Sequence, residues 1–135
     1  MTKTGLAVII VIGIVFVNSC KSAVSAAKME KGKKVYDTNC MGCHMDNGKG
    51  VPRMNPALVN SPYVMGHPNS LIELVLRGSG FFGNANRGYK NQMASFHALS
   101  DTEIADLLTY IRNNFAKTGD EISEADVKNI RAKLN

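Results

Sequence analysis

Residues 40–44 read Cys40-Met41-Gly42-Cys43-His44. A Cys-x-x-Cys pair by itself suits a redox dithiol, half of a zinc site or a haem attachment. A structural zinc site of this type needs a second closely spaced pair of Cys or His ligands, and the chain has only one further cysteine, Cys20. A dithiol oxidoreductase needs a βαβ setting around the motif, and no such alternation of strands and helices is legible here. The histidine directly after the second cysteine selects the third reading. Two thiols at this spacing can add to the two vinyl groups of a haem, and the adjacent imidazole then reaches the iron. Cys40 and Cys43 are therefore the expected attachment points of one covalent c-type haem, with His44 as its first axial ligand.

Working outward, a second axial ligand has to come from the rest of the chain. Seven methionines stand at positions 1, 29, 41, 45, 54, 65 and 93, alongside His67 and His97. Met1 opens an apolar leader, Met41 is inside the attachment loop, and Met45 is next to His44. Met29 precedes the expected first helix and lies too far back. Met54 and Met65 are possible, but they fall where the chain must wrap the proximal face. Met93 is far enough beyond His44 to cross to the distal face, and it sits on a loop just before a strong helix. A buried core methionine is the ordinary role of such a residue; the residues flanking Met93 favour the ligand.

That strong helix is readable without reference to any family. Ser100 with Glu103 is a capping box, and Ile104, Leu107, Leu108, Ile111 and Phe115 follow at helical spacing on one stripe. Asp101, Glu103 and Asp106 suit its N-terminal turn and Arg112 its C-terminal end. A shorter helix is expected from about Ile122 to Leu134, with Ser123 and Asp126 as its cap pair and Val127 and Ile130 facing inward. A buried apolar helix is expected over about Asn69 to Leu76. The stretch Gly78 to Gly88, with four glycines, reads as a turn or hairpin, and Phe81 and Phe82 are expected either in the core or at the haem edge. Phe96, Tyr110 and Tyr36 are expected to line the haem or a helix crossing.

From Gly32 to Phe115 the sequence resembles a class I, monohaem cytochrome c. Gly32 and Tyr36 match the glycine and aromatic of that family's first helix, where the glycine lets the last helix cross closely. Pro56, in Asn55-Pro56-Ala57-Leu58, matches the proline whose carbonyl accepts the proximal histidine's proton. Met93-Ala94-Ser95-Phe96, followed by Leu99-Ser100-Asp101, resembles the distal Met-Pro-x-Phe loop; Ala94 departs from the pattern and leaves that loop less rigid. The C-terminal tail resembles extensions of cytochromes that partner quinoprotein dehydrogenases. The resemblance implies an all-α small cytochrome c fold, with helices around one covalently attached haem and an extra C-terminal helix.

The N-terminus adds an address. Residues 5–17 (GLAVIIVIGIVFV) form an apolar run behind Lys3, as in a secretory signal, and the run is shorter than the ~20 residues a membrane-crossing helix needs. Val17-Asn18-Ser19-Cys20 resembles a bacterial lipobox, which makes Cys20 the expected lipidated N-terminus; ordinary cleavage after Ala26 is the rival. The expected organisation is a signal over 1–19, a flexible tether over 20–28, the cytochrome domain over 29–117 and a helical extension over 118–135.

The whole chain has 135 residues, 44% hydrophobic and 20% charged, with a net charge of +5. One domain fits that length, and a multidomain enzyme does not. The basic residues lack the interleaved aromatics of a nucleic-acid binder. Lys31, Lys33, Lys34 and Lys49 flank the attachment loop and are expected to steer an acidic protein partner.

With histidine nitrogen and methionine sulfur on the iron, no coordination site stays open for a substrate. The expected role is therefore outer-sphere electron transfer without catalysis, in the periplasm or on the outer face of a membrane, between an exported dehydrogenase, such as a quinoprotein dehydrogenase, or a quinol-oxidising complex and a terminal oxidase. A small haem peroxidase, or the haem subunit of a larger redox enzyme, is the alternative.

Overall fold

The computed structural model describes residues 24–82 and 88–134. Six α-helices, and no strand, occur among them: α1 (Ala26–Asn39), α2 (Met41–His44), α3 (Pro62–Met65), α4 (Pro68–Arg77), α5 (Asp101–Phe115) and α6 (Glu124–Leu134). The expected signal, Cys20 and the first residues of the expected tether lie outside the described residues.

α1 begins earlier than the sequence suggested. The Ser25 hydroxyl accepts a hydrogen bond from the Lys28 amide at 3.1 Å, so the helix is capped at Ser25. Residues 26–28 are therefore helix rather than tether, and Met29 lies within the helix and packs on the core. The cause is tertiary as well as local: Lys28 Nζ reaches the carboxylates of Glu121 at 3.0 Å and Asp106 at 3.6 Å, which ties this first turn down.

The central packing event is the crossing of α1 and α5. At Gly32 a Cβ would stand 2.1 Å from the Asp106 carbonyl oxygen and 2.7 Å from Tyr110 Cβ, so the helices touch backbone to backbone there. Tyr36 packs beside that contact, with ring centroids 5.5 Å from Tyr110 and 5.3 Å from Phe115, and its hydroxyl donates to the Met45 carbonyl at 2.5 Å. The apolar stripe of α5 is wholly buried, and its capping box has both reciprocal bonds.

Two charged residues of α5 serve otherwise than as complements to the helix dipole. Asp106 is buried against Lys28. Arg112 is 4% exposed and donates to the carbonyls of Val64 at 2.6 Å and Gly66 at 2.8 Å, while it pairs with Asp120 at 2.6 Å. That one guanidinium pins α3 and the segment before α6 to α5.

α4 starts at Pro68, whose missing N–H costs nothing in the first turn, and ends at Gly78, whose φ of +75° suits glycine. α6 lies on α4 and α5 with Val127 fully buried and Ile130 and Leu134 partly so. Ser123 and Asp126 cap it reciprocally. After α4 a 3₁₀ turn covers Ser79–Phe82; the remainder of the expected hairpin, 83–87, lies outside the described residues. Phe81 and Phe82 sit neither in the core nor on the cavity described below. They are 57% and 39% exposed, Phe81 beneath the Arg77 guanidinium, because the tight turn after Gly78 carries them outward.

Candidate haem site

The end of α1 and the single turn of α2 build the attachment segment. Cys40 closes α1 through its amide, which donates to the Tyr36 carbonyl at 2.8 Å, and it also opens α2, where the His44 amide donates to the Cys40 carbonyl at 2.9 Å. Residues three and four apart on one helical turn share a face, so Cys40, Cys43 and His44 project together. The two thiols are free of each other. All three residues line one cavity of about 600 Å³, within the range of cofactor pockets.

Its walls are mainly apolar, from Leu71 and Val75 of α4 and Leu107, Leu108 and Ile111 of α5. Pro56 and Met93 line the same cavity, with Phe96 beside them. The His44 Nδ1–H donates to the Pro56 carbonyl at 3.0 Å. That bond leaves Nε2 as the nitrogen with a free lone pair, which is the tautomer a metal ligand requires. Burial lowers the imidazole's proton affinity and outweighs the opposing effect of the Pro56 carbonyl, so the ring stays neutral at ordinary pH. Burial also pushes Cys40, as a free thiol, up to about 12.

The donor set fits a haem iron better than a bare ion. Among the described residues no three His, Cys, Asp or Glu side chains are arranged to hold a metal ion by themselves, whereas a macrocycle would bring its own four nitrogens. The cavity supplies the remainder: two thiols, one imidazole and one thioether around apolar walls.

A family model for cytochrome c matches residues 29–115. The chain belongs to the cytochrome c family. Cytochromes of this family bind haem c covalently and transfer electrons, and so does this one. It is 34% identical over 109 residues to the cytochrome c subunit of a quinone-dependent alcohol dehydrogenase from Gluconobacter oxydans, a match covering 74% of this chain and 22% of that subunit. It is 32% identical over 112 residues to cytochrome c-552 of Thermus thermophilus, covering 76% of this chain and 85% of the relative. A third relative, at 28% over 123 residues, is the fructose dehydrogenase cytochrome subunit of Gluconobacter japonicus, of which 25% is covered. The cytochrome thus spans about a fifth to a quarter of the length of these dehydrogenase subunits.

The fold of the cytochrome gathers Cys40, Cys43, His44, Pro56 and Met93, although 53 residues separate the first from the last. The rival ligands are elsewhere. Met54 and Met65 are 43% and 48% exposed, and neither they nor His67 or His97 line the cavity.

Sequence reasoning missed the device that holds the distal loop. The Met93 amide donates to Ser79 Oγ at 2.8 Å, and the Met93 carbonyl accepts from the Ser79 amide at 3.0 Å. The Phe96 amide donates to the Val75 carbonyl, and Ser95 Oγ to that of Leu76. Gly78 permits this docking, since a Cβ there would stand 2.6 Å from the Met93 carbonyl oxygen. A lone serine after a glycine carries no local signal of such a task.

Two charges in the expected docking patch are compensated. Lys33 pairs with Asp37 at 2.5 Å and Lys34 with Glu30 at 3.2 Å along α1. Lys31 and Lys49 are exposed and in no ion pair among the described residues. No helix among the described residues is long and apolar enough to cross a membrane.

Proposed function

We propose that this cytochrome is an exported one-haem electron carrier in which Cys40 and Cys43 hold the haem, His44 and Met93 ligate its iron, and Pro56 orients His44. The observation that carries this reading is that Met93 is the one methionine, and His44 the one histidine, among the described residues of the cavity that both thiols line. The haem supplies a one-electron couple; everything else is the work of the chain. His44, held neutral and oriented through Nδ1, offers Nε2 to the metal. Met93 offers a soft thioether that favours the ferrous state. Leu71, Val75, Leu107, Leu108 and Ile111 exclude water, which also favours the less charged state. With both axial positions filled by the protein, electrons pass at the haem edge without bond making, and the cytochrome itself catalyses no reaction.

The electron donor in this proposal is an exported dehydrogenase, or a quinol-oxidising complex, and the acceptor a terminal oxidase. Relatives named as cytochrome subunits of alcohol and fructose dehydrogenases support the donor side. Cys20, at the end of the apolar run, would carry the lipid that keeps the cytochrome on the outer face of the membrane. Lys31 and Lys49 are the uncompensated charges left to steer docking, an effect on association rate that salt screens.

Replacing Met93 with Ala tests the core of this reading. Haem should remain covalently attached, the ferric iron should become high-spin or take up water, and the reduction potential should fall. A low-spin spectrum with an unchanged potential would overturn the assignment of Met93.

A further inference from the structure

We propose that α6 is a brace for the distal loop and that Arg131, which never touches the haem cavity, sets how firmly Met93 stays on the iron. The inference rests on Met93 as the distal ligand. Three bonds leave one guanidinium: Arg131 Nη1 donates to the His97 carbonyl at 2.6 Å, Nη2 to the Leu99 carbonyl at 2.7 Å, and Nε to Asp101 Oδ1 at 2.6 Å. These are charge-assisted bonds, the stronger kind.

Their targets identify their task. The start of α5 is already satisfied by the Ser100 and Glu103 capping box, so Arg131 is not needed there as a cap. What it holds are two carbonyls of the segment joining Met93 to α5. Force on that segment reaches the ligand by a short path, because the Leu99 amide donates to the Phe96 carbonyl at 3.1 Å and Phe96 is three residues from Met93. The near end of the loop is fixed by Ser79 and its middle by Val75 and Leu76, and Arg131 adds two bonds at the far end, where Phe96 and Leu99 also pack on the core. Ala94 adds no restraint, since its φ is free where a proline would lock it.

The brace is itself anchored. Val127 is fully buried, Ile130 and Leu134 pack on the core, and Thr102 Oγ1 donates to Glu124 at 2.8 Å. A helix added after a complete haem domain has thus become a second wall for its distal loop.

An external ligand such as imidazole binds ferric iron only when Met93 has left it. Its apparent affinity therefore reports the open fraction of the loop. In the holoprotein, at one pH and ionic strength, imidazole titration of Arg131→Gln should show about tenfold tighter binding than the parent, as expected for losing a charge-assisted clamp. The Met93-to-iron charge-transfer absorption should be lost at correspondingly lower imidazole. Arg131→Lys keeps the charge but not the fork and should fall between the two; it carries the same test if the Gln variant does not fold.

Ile104→Val, a core change away from the cavity, should lower overall stability and leave imidazole affinity unmoved. If Arg131→Gln shifts the affinity no more than Ile104→Val does, the brace is overturned. Met93→Ala separates the two levels of the reading. Should it bind imidazole no tighter than the parent, Met93 is not the ligand and the proposed function fails with the brace. Should it bind tighter while Arg131→Gln does not, only the brace fails.

Discussion

Adding one methyl group at Gly32 should destabilise this cytochrome more than any other single-carbon change in α1. The new Cβ would lie 2.1 Å from the Asp106 carbonyl oxygen and 2.7 Å from both the Asp106 carbonyl carbon and Tyr110 Cβ. Backbone atoms cannot turn aside as a flexible side chain can. The two helices would have to part by about an ångström, and with them the contacts of Tyr36 on Tyr110 and Phe115. Overpacking typically costs about 1–3 kcal/mol and occasionally more, and against a backbone oxygen at 2.1 Å the cost lies at the top of that scale, about 3–4 kcal/mol. Alanine recovers about 1 kcal/mol of helix propensity over glycine. A net loss of about 2–3 kcal/mol follows, which for a domain of this size lowers Tm by roughly 10–20 °C. The assay is thermal and urea unfolding of the holoprotein followed by far-UV circular dichroism; a covalently attached haem stays with the chain on unfolding, which keeps the two states comparable. Lys31→Ala, on the exposed face next door, should change stability by no more than about 0.5 kcal/mol. A Gly32→Ala loss below about 1 kcal/mol would refute the claim that backbone contact at Gly32 sets the crossing.

Three further outcomes are expected. The carboxyl of Asp120 is held below the ordinary aspartate range chiefly by its hydrogen bond from Arg112, with Thr118 adding to it. A lowered folded-state pKa contributes stability that is present above the unfolded value, about 3.9, and is lost as pH falls through the folded value. Asp120→Asn should therefore cost roughly 1–2 kcal/mol at pH 7 and flatten the acid limb of the stability curve. That figure sits below the loss for fully buried pairs because the Asp120 side chain is 38% exposed. An acid limb as steep as the parent's would contradict it. Cys43→Ala should retain haem through a single thioether, so that one vinyl group stays conjugated and the pyridine haemochrome band moves to longer wavelength. The double Cys40, Cys43→Ala variant should lose its haem to acid–acetone extraction, and retention there would mean another attachment.

Some of this molecule lies open in local pattern. The Cys40–His44 motif, the capping box at Ser100, the stripe from Ile104 to Phe115 and the cap pair before α6 involve residues within a few positions of one another. Their physics is that of one helical turn, and the structure keeps both cap pairs and the stripe at the residues read, with α6 starting two residues later than expected. Gly32 was legible only through resemblance, and Met93 only through its distance from His44 and the flanks that carry the resemblance, because their partners are distant in the chain.

Arg112 shows where local reading stops. Its position near a helix C-terminus suggests a complement to the dipole, yet its bonds go to carbonyls 46 and 48 residues away. Lys28 was assigned to a tether because small residues surround it, and the buried Asp106 with Glu121 draws it into α1 instead. Phe81 and Phe82 were given to the core or the haem edge by their hydrophobicity, and the turn at Gly78 points them outward.

The sequence by itself determined the haem attachment and the helices α4, α5 and α6, since thiols at fixed spacing and amphipathic periods act through neighbours in the chain. Only the tertiary structure decided which methionine shares the cavity with His44, and that Ser79 and Arg131 hold the two ends of one loop. Those outcomes depend on hydrogen bonds between side chains and backbone carbonyls and amides, and every residue carries a carbonyl and every one but proline an N–H. No residue type marks them in advance, so the fold alone selects which of them a serine or a guanidinium will meet.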